Sequence, residues 1–141
     1  MWKTPYAGNS LRTVWKYIAS DLARYKVTDK RSYLEMLVIC PGSIAGIVYR
    51  IGHWIWTYNG QFKLPVFLLR PLYILLKRLT EIITGIAIQP QATIGPGLYI
   101  AHGGSVFVGG KVVMGANCNL SHEVTLGVGG RGDQRGMPVI G

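Results

Sequence analysis

Residues 88–127 read IQPQATIGPGLYIAHGGSVFVGGKVVMGANCNLSHEVTLG. An aliphatic side chain returns here at every sixth position. Ile88, Ile94, Ile100 and Val106 keep one register, and Val108, Met114, Leu120 and Leu126 keep a second, displaced by two residues. A small or polar residue follows most of them, as in Ile94-Gly95, Ile100-Ala101, Met114-Gly115 and Leu126-Gly127. An amphipathic α-helix needs apolar spacings of three and four, which this stretch lacks. A six-residue period instead marks a parallel β-helix, in which short strands stack and one aliphatic per strand points inward. The next residue turns a corner too tight for a large side chain.

Upstream the period changes. Leu11, Val14, Trp15, Ile18 and Leu22 have helical spacing, which predicts a helix over residues 11–25. A second is expected from Ser32 or Tyr33 to just before the breaker Pro41-Gly42. A third runs over residues 43–58 to Asn59-Gly60, and a fourth over residues 65–84 with a kink at Pro71. The fold class is thus α+β, with an α-helical part over residues 1–84 and coiled strands over residues 85–141. Gly127 to Met137 interrupts the coil with a basic, glycine-rich loop before Val139-Ile140-Gly141 resumes the pattern. At eighteen residues per three-strand turn, the coil makes little more than two turns, and solenoids generally need about three repeats. The C-terminal part of a longer protein is therefore expected to be missing.

Fifteen Lys and Arg face six Asp and Glu, a formal net charge of +9 that favours anionic partners. Basic residues are spread along the helices without a recognised binding motif, which argues against nucleic acid. The apolar stretches at residues 36–48 and 64–76 are punctuated or flanked by Pro and Arg. Neither offers the ~20 apolar residues of a membrane span, so both are expected to be buried helices. Basic, aromatic-rich helices leave peripheral membrane contact as a further reading. Cys40 and Cys118 show neither metal-ligand nor disulfide spacing and are expected to be reduced, in a cytoplasmic protein. No Asp/Glu/His/Cys cluster has zinc or calcium spacing, so no metal is required.

Three histidines remain. His102 follows a corner residue, just before the two-residue displacement of the register, where an offset would break the strand ladder and leave a groove. An imidazole there can take a proton from a hydroxyl, since its ordinary pKa of ~6.5 suits general-base work. The other reading is a polar corner facing solvent. His53 lies among aromatics and reads as a packed, hydrogen-bonded residue. His122 and Glu123 sit at another coil edge and read as surface. The glycine-rich loop can cradle phosphate through backbone N–H groups, with Arg131 and Arg135 adding charge, but it lacks the lysine of a P-loop.

Two blocks then resemble the serine O-acetyltransferase family of hexapeptide-repeat acyltransferases. The first is Pro41-Gly42-Ser43 through Tyr49-Arg50-Ile51-Gly52-His53-Trp54-Ile55-Trp56. The second comprises Gly85 to Pro90, Ile94-Gly95, His102-Gly103 and Val124-Thr125-Leu126-Gly127. The resemblance implies a left-handed β-helix, assembled as trimers or pairs of trimers, and acetyl transfer from acetyl-CoA to the hydroxyl of serine. It implies His102 as the base and Gly127, Gly129 and Gly130 as the lining for the pantetheine arm. It also implies substrate contacts from Asp29 and Arg135 and at position Ala101. The family usually has Asp where this chain has Ala87 and Ala101, and a histidine where it has Met137. These losses point to a sugar hydroxyl as an alternative acceptor, or to a non-catalytic trimerising module.

Overall fold

The computed structural model describes residues 10–30, 32–61, 63–132 and 136–141. Helices α1 (Leu11–Asp29), α2 (Tyr33–Ile39), α3 (Pro41–Thr57) and α4 (Lys63–Thr84) come first. Their ends are written locally. The Ser10 hydroxyl accepts from the Thr13 N–H at the start of α1, and Ser32 with Glu35 forms a reciprocal capping box on α2. Pro41 opens α3, where its missing N–H has no helical partner to lose. Helix α4 begins two residues earlier than its pattern suggests and continues through the exposed Pro71.

Eight short strands follow: β1 (Ile86–Ile88), β2 (Thr93–Ile94), β3 (Tyr99–Ile100), β4 (Val106–Val108), β5 (Val113–Met114), β6 (Asn119–Leu120), β7 (Thr125–Leu126) and β8 (Val139–Ile140). The chain visits three parallel sheets in rotation, ordered β1-β4-β7, β2-β5-β8 and β3-β6. This is the stacked coil that the six-residue period predicts. Ile94, Ile100, Val108, Val112 and Met114 are wholly buried along its axis, each worth about 1.5–3 kcal/mol against exposure. Gly95 shows why corners demand small residues, because a Cβ there lies 2.6 Å from the Gly115 carbonyl of the next rung.

The two registers meet for a simple reason. Ile86 pairs with Val106 and Ile88 with Val108, so the first rung takes twenty residues; Phe107 pairs with Thr125, eighteen on. The two extra residues fall between β3 and β4, where Gly104 and Ser105 take φ of 100° and 50°. The expected break in the ladder does not occur, since β4 still pairs with both β1 and β7. Val106 lies on Ile86 and Val108 on Ile88, so the last member of the first register and the first of the second share one strand. Strands β1 and β4 therefore each turn two aliphatics inward, not one.

The outer edge of the first rung has no strand beyond it, and unpaired backbone groups there need partners. Helices α1 and α3 supply them through side chains. The Tyr49 hydroxyl donates to the Ala92 carbonyl (2.7 Å) and accepts from the Ile94 N–H (3.2 Å). Tyr25 does the same at Ile100, donating over 3.2 Å and accepting over 2.9 Å. The Arg50 guanidinium donates to the Ile94 and Gly95 carbonyls at 2.6 and 2.7 Å. It also pairs with Asp21 at 2.8 Å, and Asp21 accepts from the Gly97 and Leu98 N–H groups. The helices thus plug the open end of the solenoid, the capping role such arrays require.

Residues 64–76 depart from expectation. Of these only Val66 and Tyr73 are buried, and most of the other apolar side chains face outward. Arg70, Lys77 and Glu81 share the side of α4 that meets the rest of the protein, and the leucines of the opposite side are left uncovered, the reverse of the usual amphipathic arrangement. No single helix among the described residues is long and apolar enough to cross a membrane.

Candidate functional site

The corner after β3 carries Ala101 and His102. It is held rigidly on both sides. The Ala101 N–H donates to the Leu120 carbonyl (3.0 Å), the Gly104 N–H to Thr84 (2.9 Å), and the Gly104 carbonyl accepts from Glu123 (3.3 Å). A Cβ at Gly103 falls 2.7 Å from the Thr84 carbonyl and 2.9 Å from the Pro41 ring, so this backbone lies flat against the helices. His102 is left projecting from a fixed base, its ring exposed instead of sunk in a groove of this chain.

The twenty-residue rung places His122 directly after it. Tyr99 and Ile100 pair with Asn119 and Leu120, so positions 102 and 122 stack in adjacent corners. Their imidazole rings stand 6.2 Å apart, inclined at 63°. His122 is on the surface as expected, but it is also the neighbour of His102. That adjacency was not legible before the rung length was known.

Asp29 ends α1 and reaches the same edge. Its Oδ1 accepts from the Tyr99 hydroxyl at 3.0 Å and its Oδ2 from the Cys40 thiol at 3.7 Å. Burial and the bond to Asp29 together raise the Tyr99 pKa above its ordinary value. Asp29 is therefore joined to β3, the strand that leads into His102, although the two are far apart in sequence. Met137 is partly buried against the coil core, and its Cε stands 3.3 Å from where a Gly109 Cβ would be. It is a packing residue here.

Gly127 leaves β7 half-buried. Gly129 and Gly136 exchange hydrogen bonds of 3.0 Å in each direction and close the neck of the excursion between β7 and β8. Gly130 takes φ of 83°, a conformation open to glycine. Arg131 is exposed beyond it. Arg135, expected as a substrate contact, lies outside the described residues, with its neighbours at 133 and 134. Beyond the excursion Val139 and Ile140 rejoin Val113 and Met114, so the loop is inserted without disturbing the coil.

His53 is a structural residue, as its surroundings suggested. Its Nδ1 lies 2.9 Å from the Pro90 carbonyl, which fixes that nitrogen as the protonated one. Burial lowers its pKa, opposed by that hydrogen bond. The Tyr49-Arg50-x-x-His53 segment is therefore one device, three side chains of α3 gripping the first rung. Asp21, Tyr25 and Arg24, which bonds Asn117 and Asn119, escaped the sequence reading altogether. Their only advance signal was a charged or hydroxylated residue within an otherwise apolar helical stripe. Among the described residues no group of three or more His, Cys, Asp or Glu is placed to hold a metal ion.

No protein-family model matches the chain. Among curated relatives, a serine acetyltransferase of Synechococcus elongatus is 37% identical over 125 residues, covering 87% of this chain and 47% of that protein. One of Helicobacter pylori is 35% identical over 111 residues, covering 79% of this chain and 60% of its own length. Among solved structures, soybean serine acetyltransferase complexed with serine superimposes with a TM-score of 0.73 at 29% identity, covering 92% of this chain and 51% of that one. The chain spans about half the length of the curated relatives it matches.

Proposed function

The chain belongs to the serine acetyltransferase family, and from that premise we propose that it transfers the acetyl group of acetyl-CoA to the hydroxyl of serine. The observation that carries the reading is His102, an exposed imidazole on a hydrogen-bonded corner, with the family's glycine at Gly103 after it and Ala101 in place of the family's Asp before it. In this reaction the imidazole takes the hydroxyl proton as the oxygen attacks the thioester carbonyl. The tetrahedral intermediate then collapses, the C–S bond breaks, and the imidazolium returns the proton to the departing CoA thiolate. The base is thereby restored.

The remaining assignments follow from the same premise. Gly127, Gly129 and Gly130 line the pantetheine arm, where side chains would obstruct it. Asp29 and Arg135 meet the acceptor's ammonium and carboxylate, and the backbone at Ala101 borders it. The coil is taken as a left-handed β-helix and the assembly as a homotrimer or a pair of trimers, so that a neighbouring subunit completes the cleft beside the exposed His102. The compartment is the cytoplasm.

Release of CoA, followed with a thiol reagent in the presence of serine and acetyl-CoA, tests the activity. Replacing His102 by Ala should lower kcat about 10²–10⁴-fold. Undiminished turnover in that variant would reject the assignment, and no turnover of wild type with any hydroxyl acceptor would reject the activity. One observation favours a second acceptor class. Positions 87 and 101 hold Ala, not carboxylates, which leaves less negative charge for an ammonium group. A sugar hydroxyl lacks that requirement, and rates across serine and a panel of sugars decide between the two.

A further inference from the structure

The helical part carries a feature that acetyl transfer does not use. Helix α4 is 22 residues long, about 33 Å at 1.5 Å per residue. Val66, Tyr73, Thr80 and Thr84 form its buried stripe against α3 and the coil. The opposite side presents Leu64, Leu68, Leu72, Leu75, Leu79 and Ile82, each between 49% and 80% exposed. At 100° per residue these six fall within one continuous outer face. Arg78 is the charged side chain nearest that face, and it is paired with Glu81. Contiguous apolar surface on this scale marks an interaction site.

Charge identifies what covers it. Residues 1–84 contain twelve Lys and Arg against four Asp and Glu, and residues 85–141 contain three against two. The difference is +8 in the helical part and +1 in the coil, which together make the net +9. Arg78, 71% exposed, stands at the edge of that apolar face. A second copy seated on α4 would bring two such positive regions together. An anionic bilayer satisfies both properties at once, taking the leucines below its headgroups and the cations among its phosphates.

We propose that α4 is an interfacial membrane helix, docking the protein flat on an anionic lipid surface. Its buried stripe ties it to α3 and to β1, so the helix lies in the interface plane and does not insert across it. The long Arg78 side chain at its flank reaches up to the headgroups while its stem covers apolar surface.

Flotation of the full chain with vesicles tests this. One set is phosphatidylcholine alone, and the other contains phosphatidylglycerol as well. The protein should float with the anionic vesicles, at least about tenfold more strongly than with neutral ones, and release as salt is raised. A variant carrying Leu68→Gln, Leu72→Gln, Leu75→Gln and Leu79→Gln should lose about a hundredfold or more in partitioning. All four leucines are exposed, so its circular dichroism and melting temperature should match the parent. Should it misfold, the single Leu75→Gln and Leu79→Gln variants take its place, each expected to weaken partitioning several-fold. Equal partitioning into neutral and anionic vesicles would overturn the choice of lipid. Failure to float, whether or not the assembly halves in mass when the leucines are replaced, would overturn the membrane and assign the face elsewhere.

Discussion

Replacing Arg50 by Met tests how the helices hold the coil. The guanidinium is 2% exposed and its partner Asp21 is 8% exposed. Tyr17 and Tyr49 stack on it at 5.1 and 5.2 Å. Methionine keeps most of the volume, so the loss is chiefly electrostatic. Asp21 would keep its bonds from Gly97 and Leu98 but lose its cation, and breaking a buried pair costs about 3–5 kcal/mol. The Ile94 and Gly95 carbonyls would each lose a charged donor, adding about 1 kcal/mol apiece. Taken together and discounted for relaxation, a loss of about 4 kcal/mol is expected. At roughly 2–4 °C per kcal/mol for a chain of this size, the melting temperature should drop by about 10 °C. Differential scanning fluorimetry at fixed protein concentration reads the shift. Adding Asp21→Asn to Arg50→Met should cost less than the sum of the two single changes, because no uncompensated charge stays buried. An Arg50→Met protein melting within about 2 °C of the parent would refute the reasoning.

The other perturbations act at other contacts of the first rung. His53 has a folded pKa depressed by burial below its ordinary ~6.5. The unfolded chain therefore binds the proton first as pH falls, and stability should be full above about pH 6.5 and decline below it. Urea midpoints across pH 5 to 8 check this, and His53→Gln should flatten the trend. At Gly42 an added Cβ meets the Ile100 carbonyl and comes within 2.6 Å of the Tyr25 hydroxyl. Gly42→Ala should then destabilise by about 1–3 kcal/mol and lower kcat as well, since Ile100 leads directly into His102. Calorimetry and turnover should fall together; an unaffected kcat would separate the corner from the helices. Tyr25→Phe removes both bonds at Ile100 and should cost about 2–3 kcal/mol, read by the same melt.

Much of the architecture was legible because it is local. The return of Ile94, Ile100, Met114 and Leu120 at six-residue steps is a property of strand length and corner geometry, which neighbouring residues impose by themselves. The helix start at Ser32 is likewise local chemistry, whereas Pro41 was expected to break the chain before a helix at residue 43 and instead opens that helix. The position of His102 beside the register displacement was visible, although the meaning of that displacement was not. Two residues lengthen one corner, and only pairing across the rung could show that the ladder survives and that His122 lands beside His102. Met137 reads as a missing polar contact in one dimension and as a packing residue in three.

By its sequence alone the chain determined a stacked coil behind a helical segment, a family, and a histidine at the corner beside the register displacement. Only tertiary structure decided that Asp21, Tyr25, Tyr49 and Arg50 hold the first rung, because their partners are orphaned backbone groups with no sequence signature of their own. It also decided which side of α4 faces outward. Periodicity records that a face exists, but burial depends on what the rest of the chain brings to lie against it.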